Sequence, residues 1–389
     1  MNKKVLSLVL AGVITASSVL PTAAFATNVK EDVKVDSAVT TETPKETEAV
    51  SESLNVTRIQ GKDRYLTAVE ASKKTFPNGA KYAAIATGEN FVDGLVGGAL
   101  TSQEGFPLLL TRKNSISKEV IDEIKRLKPE EIFIFGGDAA VSSDVEKEIK
   151  KTGIKVERLA GKNRKETAQE IGVKRWNFRN QENKVGTDAD AVVDGFKFAD
   201  ALSAGPFLGQ MTRNGKGYYN FAPWIKGTPV SGIDMVFGGT AAIPKGPIEQ
   251  YRFAGSTRYE TAVEVAKAYK DVLKMDIDTV VLVSGEDFPD GLTAAEIAGE
   301  EKAAVLLTNA KTLNASTKKF IEENKNIKNI IILGGNAAVS EEVEKALKEI
   351  KFEVPKVDEE KEEIKTDAAV ETPKEETKGE VKADSAIQE

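Results

Sequence analysis

Three copies of one motif set dominate this chain of 389 residues. Each copy opens with Arg-x-x-Gly-x-x-Arg, continues with Gly-x-x-Phe-x-Asp and closes with Gly-Gly-x-Ala-Ala. The openings begin at Arg58, Arg158 and Arg252, so the period is roughly 100 residues, whereas solenoid repeats run about 20–50 residues. The sequence therefore predicts three small homologous domains. Because the polar motifs repeat as well, we expect a repetitive ligand that is held by several weak contacts.

Short apolar strands alternate with helical segments in the first and third copies. The strands expected in the first copy are residues 58–60, 82–86, 107–111 and 131–135, and those in the third are residues 279–284, 304–308 and 329–333. The helices expected in the first copy are residues 64–75, 91–102, 120–127 and a last helix that Ser143 and Glu146 start as a capping box. Regular alternation of this kind predicts an α/β fold with parallel sheets that are covered on both faces.

The second copy departs from this pattern. No Leu-Leu-Thr strand follows its Gly-x-x-Phe-x-Asp motif, and the chain instead runs through a segment rich in aromatic residues, which we interpret as a loop. Its aromatic side chains are Tyr218, Tyr219, Phe221 and Trp224, with Arg213, Lys216 and Lys226 among them. Two interpretations stay open: these rings stack on sugar rings beside bound anionic groups, or they fill the space of the missing strand. Trp224 is accordingly a candidate ligand contact.

The two ends of the chain differ from the repeats. A basic start at Lys3-Lys4, an apolar run over residues 5–19 and Ala24-Phe25-Ala26 predict a signal peptide over residues 1–26 and export of the protein. That run is shorter than the about 20 apolar residues of a membrane span, so we expect no span. Residues 27–55 and 352–389 are acidic and poor in aromatic residues, which predicts a disordered linker and a disordered tail. The repeats between them are assigned to residues 56–156, 157–250 and 251–351.

Composition excludes several kinds of site. The chain has no cysteine and no histidine, which excludes disulfides, thiol chemistry, Ser-His-Asp catalysis and histidine-based metal sites. It also lacks the glycine-rich motifs of dinucleotide-binding and P-loop proteins. Acidic residues cluster at the two ends, so the acidic pI of about 5.3 says nothing about the ligand of the repeats. We expect no cofactor, no metal ion and no nucleic-acid partner.

The repeated arginines and aspartates are the candidate ligand contacts. They are Arg58, Arg158 and Arg252 at the first arginine position, Arg64, Arg164 and Arg258 at the second, and Asp93, Asp200 and Asp290 in the middle motif. The second arginine of each copy lies where a strand gives way to a helix, and its planar fork of donors suits phosphate or carboxylate oxygens. Alternatively, each arginine pairs with a carboxylate of its own or the neighbouring repeat. The aspartates either cap the following helices, which is their commoner role, or bind ligand and orient the arginines.

Taken together, these motifs resemble the cell wall-binding repeat 2 family of clostridial and related Gram-positive surface proteins. The resemblance is carried by Arg252–Ala262 (Arg-Phe-Ala-Gly-Ser-Thr-Arg-Tyr-Glu-Thr-Ala), the Pro-Leu-Leu-Leu-Thr segment from Pro107, and the Gly-Gly-x-x-Ala-Val-Ser endings at Gly136 and Gly334. It covers about residues 56–351. It implies three Rossmann-like or Toprim-like subdomains in a pseudo-threefold arrangement. It also implies non-covalent attachment to an anionic wall polysaccharide, as in S-layer proteins.

We therefore expect a secreted wall-binding protein without enzymatic activity, whose partner is a secondary wall polysaccharide or a teichoic-acid-like polymer, with S-layer proteins as further partners. Two other functions compete with this one. A wall glycan hydrolase would use paired carboxylates such as Glu89 with Asp93 or Glu286 with Asp290, but Phe196 replaces the glutamate in the second copy. A lattice-forming S-layer protein is the other alternative.

Overall fold

The computed structural model describes residues 51–180 and 189–353. The predicted signal peptide, nearly all of the predicted linker and nearly all of the predicted tail lie outside these residues. Within the two described ranges, no helix combines the length and the apolar character that crossing a bilayer requires.

Strands and helices alternate along the described residues, as the sequence predicts. The strands are β1 (Ser51–Ser53), β2 (Asn55–Ile59), β3 (Tyr82–Thr87), β4 (Leu108–Thr111), β5 (Glu131–Phe135), β6 (Lys155–Leu159), β7 (Ala189–Asp194), β8 (Tyr219–Trp224), β9 (Ile233–Phe237), β10 (Tyr251–Phe253), β11 (Thr279–Ser284), β12 (Ala304–Thr308), β13 (Asn329–Leu333) and β14 (Lys351–Glu353). The helices are α1 (Arg64–Thr75), α2 (Val92–Glu104), α3 (Lys118–Leu127), α4 (Ser143–Lys150), α5 (Arg164–Asn180), α6 (Ala199–Arg213), α7 (Arg258–Asp271), α8 (Ala294–Glu300), α9 (Ala315–Glu323) and α10 (Glu341–Lys348), with a 3-10 turn at Asp290–Thr293 before α8.

Three parallel four-stranded sheets form the cores of the repeats, with strand orders β4-β3-β5-β6, β8-β7-β9-β10 and β12-β11-β13-β2. Each repeat supplies three strands of its own sheet, and the fourth is the first strand of the next repeat. Thus β6 completes the sheet of repeat one, β10 completes that of repeat two, and β2 returns to complete that of repeat three. This cyclic exchange closes the three α/β subdomains into a ring, in agreement with the expected pseudo-threefold arrangement.

The centre of the ring is built from one helix of each repeat, α2, α6 and α8, which contact one another pairwise. Glycines permit this close approach: a Cβ atom on Gly209 of α6 would lie 2.5 Å from Ser102 Cβ of α2. The phenylalanines of the Gly-x-x-Phe-x-Asp motifs meet at one end of these helices. The ring centroids of Phe91, Phe198 and Phe288 are 5.7–6.1 Å apart in tilted and edge-to-face pairs.

The carboxyl ends of the central helices are joined by Arg213, the last residue of α6. Its Nε donates to the Gln103 carbonyl at 2.7 Å, its Nη1 donates to the Gly299 carbonyl at 2.6 Å, and it pairs with Glu300 at 2.6 Å. The side chain therefore links all three repeats by satisfying carbonyls that a helix end leaves open. Of the two interpretations of the aromatic segment, the one that gives Arg213 an anion-binding role is not supported, because these contacts occupy its donors.

Three details correct the expectations from sequence. The segment interpreted as an aromatic loop contains strand β8, which pairs in parallel with β7 and supplies the strand that repeat two was expected to lack. The last helix of repeat one is capped by Ser142, whose side chain accepts from the Val145 amide, and not by Ser143 with Glu146. The first strand of repeat one begins at Asn55 and not at Arg58.

Candidate binding clefts between the repeats

The first arginine of each motif is a structural clamp. Arg158 on β6 donates from Nη1 to the carbonyls of Gly136 and Val141 at 2.7 and 2.8 Å, and from Nε to Glu146 at 2.8 Å. Arg252 makes the corresponding contacts with Gly238, Ile243 and Glu249, and Arg58 makes them with Gly334, Val339 and Glu344. In all three positions the guanidinium fastens the first strand of one repeat to the Gly-Gly turn and the following segment of the preceding repeat. These arginines fit the pairing alternative, and we do not assign them to ligand.

The second arginine of each motif is placed differently. Arg64 Nη1 donates to the Gly88 carbonyl at 2.6 Å, and Arg164 and Arg258 donate in the same way to Gly195 and Gly285. Among the residues that the structure describes, none of these three arginines forms an ion pair within 4.0 Å. Each guanidinium lies over an aromatic ring: Arg64 over Phe288 at 5.9 Å, Arg258 over Phe198 at 5.5 Å and Arg164 over Phe196 at 4.7 Å. The remaining donors of these side chains make no other hydrogen bond to the described residues.

Two open clefts lie at the junctions where these arginines are found. The cleft between repeats one and two has a volume of 280 Å³, and the cleft between repeats three and one has a volume of 350 Å³. Each is lined by three segments. Two come from one repeat, namely the loop after β3 or β11 and the Gly-Gly turn, and the third is the start of the first helix of the next repeat. In the first cleft these segments contribute Asn90 and Asp93, Gly137 and Ala140, and Lys162 and Arg164.

The position of these clefts follows from strand order. In the sheet β4-β3-β5-β6 the chain moves outward from β3 to β4 and then crosses back to β5, so the direction of winding reverses between β3 and β5. In open α/β sheets, the loops after two such strands diverge and leave a crevice where ligands bind. Here the neighbouring repeat adds the amino-terminal turn of its first helix to that crevice, with Asn163 as the N-terminal cap whose side chain accepts from the Glu166 amide at 3.1 Å.

The motif aspartates do not cap helices. Phe91 and Phe198 occupy the N-cap positions of α2 and α6, and Asp93 and Asp200 follow in the first turn without a capping hydrogen bond. Their carboxylates instead face the next repeat. Burial raises the pKa of Asp93, and the Arg164 guanidinium opposes this rise. Burial likewise raises the pKa of Asp290, which the hydrogen bond from Thr67 and the charge of Arg64 oppose.

The first glycine of each Gly-Gly turn is required by the aspartate beside it. Gly136 has a φ of 100°, a region that side chains disfavour, and a Cβ atom there would lie 2.4 Å from Asp93 Oδ2. The same contact recurs between Gly334 and Asp290 at 2.6 Å. The closing and middle motifs are therefore two halves of one structure at the rim of the cleft.

One set of residues at the three junctions was not singled out from the sequence, namely Thr67, Thr167 and Thr261. Their side chains are buried, and each hydroxyl oxygen accepts from the amide of the motif glycine at 3.1 Å. The hydroxyls of Thr67 and Thr261 also donate to Asp290 and Asp200 of the preceding repeat. The sequence contains a pattern that could have identified these threonines, because a Thr-Ala pair begins three residues after the second arginine in every copy.

The structure separates Trp224 from these clefts. It ends strand β8, is 8% exposed and packs in a small cluster with Val192, Val236 and Ile243. This position fits the interpretation in which the aromatic segment fills the subdomain. We do not include Trp224 in the candidate site.

Asp200, at the junction between repeats two and three, gives the stability of the protein a testable pH dependence. Burial raises its pKa to about 6, against the hydrogen bond from Thr261 and the charge of Arg258; Asp194 adds to the rise and Lys197 opposes it. The Asp200 carboxyl binds its proton more tightly in the folded state than in the unfolded state. Protonation of Asp200 therefore stabilises the fold at low pH, and this stabilisation is lost as pH rises through about 6. Between pH 5 and pH 8, we expect the free energy of unfolding of wild type to fall by about 1 kcal/mol relative to that of Asp200→Asn.

Urea unfolding of both proteins at pH 5, 6, 7 and 8 measures this difference. The control is Asp144→Asn, since Asp144 is an exposed carboxylate paired with Lys147, which holds its pKa below its usual range. Parallel pH profiles for wild type and Asp200→Asn would show that Asp200 is ionised throughout this range.

Comparisons with known proteins agree with this architecture. The family model of cell wall binding domain 2 matches residues 58–146, 158–247 and 252–344, which together make up more than half of the chain. The N-acetylmuramoyl-L-alanine amidase LytC of Bacillus subtilis (strain 168) is 32% identical over 308 residues, which are 76% of this chain and 58% of that protein. The amidase enhancer of the same organism is 28% identical over 299 residues, which are 75% of this chain and 40% of that protein.

Solved structures give the same result. Cwp8 from Clostridium difficile superposes with a TM-score of 0.61 at 26% identity, over 75% of this chain and 51% of that one. Cwp6 from Clostridium difficile superposes with a TM-score of 0.64 at 21% identity, over 82% of this chain and 51% of that one, and shows the shared fold. The chain thus spans about half the length of these relatives. The three tandem matches and the three-subdomain ring show that this chain belongs to the cell wall binding domain 2 family.

Proposed function

We propose that this protein is exported through its signal peptide, residues 1–26, and attaches non-covalently to a Gram-positive cell wall by binding an anionic wall polysaccharide in the clefts between its repeats. The polymer would be a secondary wall polysaccharide or a teichoic-acid-like chain. Family membership supports wall attachment, and the chemistry of the clefts supports the anionic ligand.

One observation carries the proposal. At each junction an arginine with no ion-pair partner among the described residues lies beside the loops of a strand-order reversal, and two of these junctions are clefts of 280 and 350 Å³. A guanidinium held by one carbonyl contact keeps donors free for phosphate or carboxylate oxygens. The first arginine of each motif, although similar in sequence, has no such freedom.

The three junctions differ in charge, so we do not expect equal affinities. The cleft between repeats three and one combines Arg64 and Lys62 with Asp287, Asp290 and further acidic side chains, which disfavours anions. The cleft between repeats one and two balances Lys162 and Arg164 against Glu89 and Asp93. We therefore propose that anionic groups bind most tightly at Arg164 and at Arg258. At the Arg258 junction, Phe196 and Lys197 stand where the corresponding loops of the other repeats carry acidic residues.

Several weak subsites on one rigid ring raise overall affinity, because each later contact is intramolecular. Linked sites typically gain about 10²–10⁴ in avidity over one site alone. A polymer with a repeating charged unit suits such an array better than a small molecule does. Binding should also depend strongly on ionic strength, since the screening length falls from about 10 Å at 0.1 M salt to about 3 Å at 1 M.

Sedimentation with purified walls tests this proposal. We expect wild type to pellet at 0.05 M NaCl and to be released at 1 M, and we expect the triple variant Arg64→Ala, Arg164→Ala and Arg258→Ala to lose about 100-fold in apparent affinity. Single variants at Arg164 and Arg258 should lose more than the variant at Arg64.

The matched control removes the same charge elsewhere, by Lys147→Gln, Lys245→Gln and Lys319→Gln, one lysine from each repeat or its closing segment. Lys147 and Lys319 are exposed and make only helix-surface pairs. If the arginine and lysine triple variants bind walls equally, or if 1 M salt leaves binding unchanged, the anionic clefts are not the attachment site.

The competing functions have their own readouts. A hydrolase would clear a peptidoglycan zymogram, yet the loop glutamates that it would use accept hydrogen bonds from neighbouring backbone amides, Glu89 from Lys113 and Glu286 from Ala310. A lattice protein would assemble into sheets without wall material, and association with S-layer proteins would be detected in the same assay. We expect neither clearing nor self-assembly.

A further inference from the structure

Repeat two lacks a helix that the other two repeats have. Helix α3 follows β4 and packs against α1, and α9 follows β12 and packs against α7. In repeat two, residues 225–232 connect β8 directly to β9 without a helix. Within the described ranges, the flank of α5 that corresponds to these packed faces therefore has no helix over it.

The side chains on this flank have changed accordingly. In repeat one the positions Val69 and Ser72 are buried under α3, and Ser72 Oγ is hydrogen-bonded to Glu123 of that helix at 2.5 Å. Counted from the second motif arginine, the corresponding residues of α5 are Gln169, which is exposed, and Gly172. The sequence thus provides a polar amide where a helix-covered face has an apolar side chain.

What remains is a groove of 500 Å³ along α5. Its lining residues are Gln169, Gly172, Val173, Trp176, Tyr218 and Asn220. The four helix residues are spaced as neighbours on one face. Trp176 is partly exposed and packs against the ring of Tyr218 at a centroid distance of 5.3 Å, and the Tyr218 hydroxyl donates to the Gly172 carbonyl at 2.6 Å. The groove is therefore held in shape by contacts between α5 and the residue that precedes β8.

Its floor depends on one glycine. A Cβ atom on Gly172 would lie 2.2 Å from Asn220 Oδ1, so the absence of a side chain on α5 lets the Asn220 amide lie across the helix. That amide donates to Asp190 at 3.3 Å. Asn220 and Gln169 thus bring amide donors and acceptors next to the indole of Trp176.

We propose that this groove binds a neutral pyranose residue of the wall polymer, a subsite that rests on the proposed function and adds uncharged sugar recognition to the charged clefts. A pyranose ring has an apolar face of C–H groups that suits an aromatic ring, and hydroxyls that suit amide side chains. None of the described residues that line the groove is charged, and its volume falls within the roughly 300–1,000 Å³ of small-molecule sites.

A protein partner fits this surface less well. Stable protein interfaces bury about 800 Å² on each side around an apolar centre. Val173 is the only residue of this groove among the exposed large hydrophobic side chains of the described residues, at 56% exposure. The position of the groove also suits a polymer, because α5 begins at Arg164 in a charged cleft and reaches Trp176 about 18 Å further along its axis.

Tryptophan fluorescence tests the subsite directly. The chain has two tryptophans, so Trp224→Phe leaves Trp176 as the only indole. The probe is the soluble polysaccharide released by mild acid from purified walls of the organism that encodes the chain. We expect a saturable change in Trp176 emission at 0.05 M NaCl, which in 1 M NaCl is retained at the weaker affinity of a single uncharged subsite. On Trp176→Ala we expect an approximately tenfold loss of apparent affinity in sedimentation with walls at 0.05 M NaCl.

Two further variants complete the design. Gln169→Ala, at an exposed position, should weaken the fluorescence response about threefold, whereas Lys270→Ala, at the position of Trp176 in repeat three, should change nothing. If Trp176 emission stays constant while the protein still pellets with walls, the subsite is wrong and the proposed function stands. If wild type does not pellet at all, the proposed function itself fails. An emission change that follows protein concentration without polysaccharide would identify a second copy as the occupant and overturn the proposal.

Discussion

Gly209→Val should destabilise the folded ring by about 3–5 kcal/mol, because it forces two central helices apart. A Cβ atom at position 209 would lie 2.5 Å from both Cβ and Oγ of Ser102 and 2.9 Å from the Gln103 amide nitrogen. The nearest atoms include backbone, so rotation of one side chain cannot relieve the overlap. Ser102 also contacts the third helix, where a Cβ atom on Gly299 would lie 2.8 Å from Ser102 Cα. Separating α2 from α6 therefore disturbs all three repeats.

Urea and thermal unfolding measure the loss, which for a body of this size corresponds to a decrease in Tm of about 10 °C or more. Gly239→Val is the matched control, since a Cβ atom there meets no atom within 4 Å. We expect the control to unfold within about 1 kcal/mol of wild type. Equal stability of the two variants would mean that the central helices have room to move, contrary to the packing described above.

The fold class was predictable from sequence, while the cyclic exchange of strands was not. Alternation of short apolar strands with amphipathic helices predicts a parallel α/β sheet wherever it occurs. It does not say which sheet receives the first strand of a repeat. Local pattern is the same whether β6 pairs within repeat two or, as observed, with β5 of repeat one. The deciding contacts, such as Arg158 with Glu146, are made between motifs of different repeats.

Strand β8 shows why a strand at the edge of a sheet is difficult to predict from its own sequence. Its sequence, Tyr-Asn-Phe-Ala-Pro-Trp, mixes polar and aromatic residues and includes Pro223, which lacks the amide hydrogen of a central strand. At the edge of the sheet β8-β7-β9-β10, this strand needs partners on one side only. Proline is tolerated there, and the aromatic side chains fill the subdomain. The interpretation as a loop rests on the absence of a Leu-Leu-Thr segment, and it overlooks that an edge strand does not need such an apolar run.

The two arginines of each opening motif show how much of the candidate site can be predicted from the sequence. Both were plausible ligand contacts from sequence, because the same side chain chemistry serves a structural clamp and an anion site. The structure distinguishes them by their partners: Arg58 has a carboxylate and three carbonyls, and Arg64 has one carbonyl. The motif pattern therefore names both arginines as candidates and does not distinguish the clamp from the arginine with unpaired donors.

Ring closure leads to the second large prediction. Removing residues 1–60 deletes β2, which is bonded along its whole length to β13 from Asn55 with Asn329 to Ile59 with Leu333. It exposes the edge of β13, removes the buried side chains of Leu54 and Ile59, and leaves Glu344 without Arg58. Two buried apolar side chains contribute about 1.5–3 kcal/mol each, and the lost charged hydrogen bonds add to this, so we expect a loss of more than about 5 kcal/mol.

The matched control removes residues 1–50, which keeps every described strand, and should unfold cooperatively with full stability. The shorter chain should aggregate or unfold at much lower urea, because an open parallel edge invites pairing with other chains. A synthetic peptide of residues 51–61 supplied in excess should restore the sheet by adding a strand to that edge, and its Arg58→Ala form should restore it less. If deletion to residue 60 leaves the unfolding midpoint of the control unchanged, repeat three is complete without the first strand of repeat one, and the three subdomains are an open row. Restoration that depends on Arg58 would instead show that the two ends of the repeat region are held together by the same clamp that joins one repeat to the next.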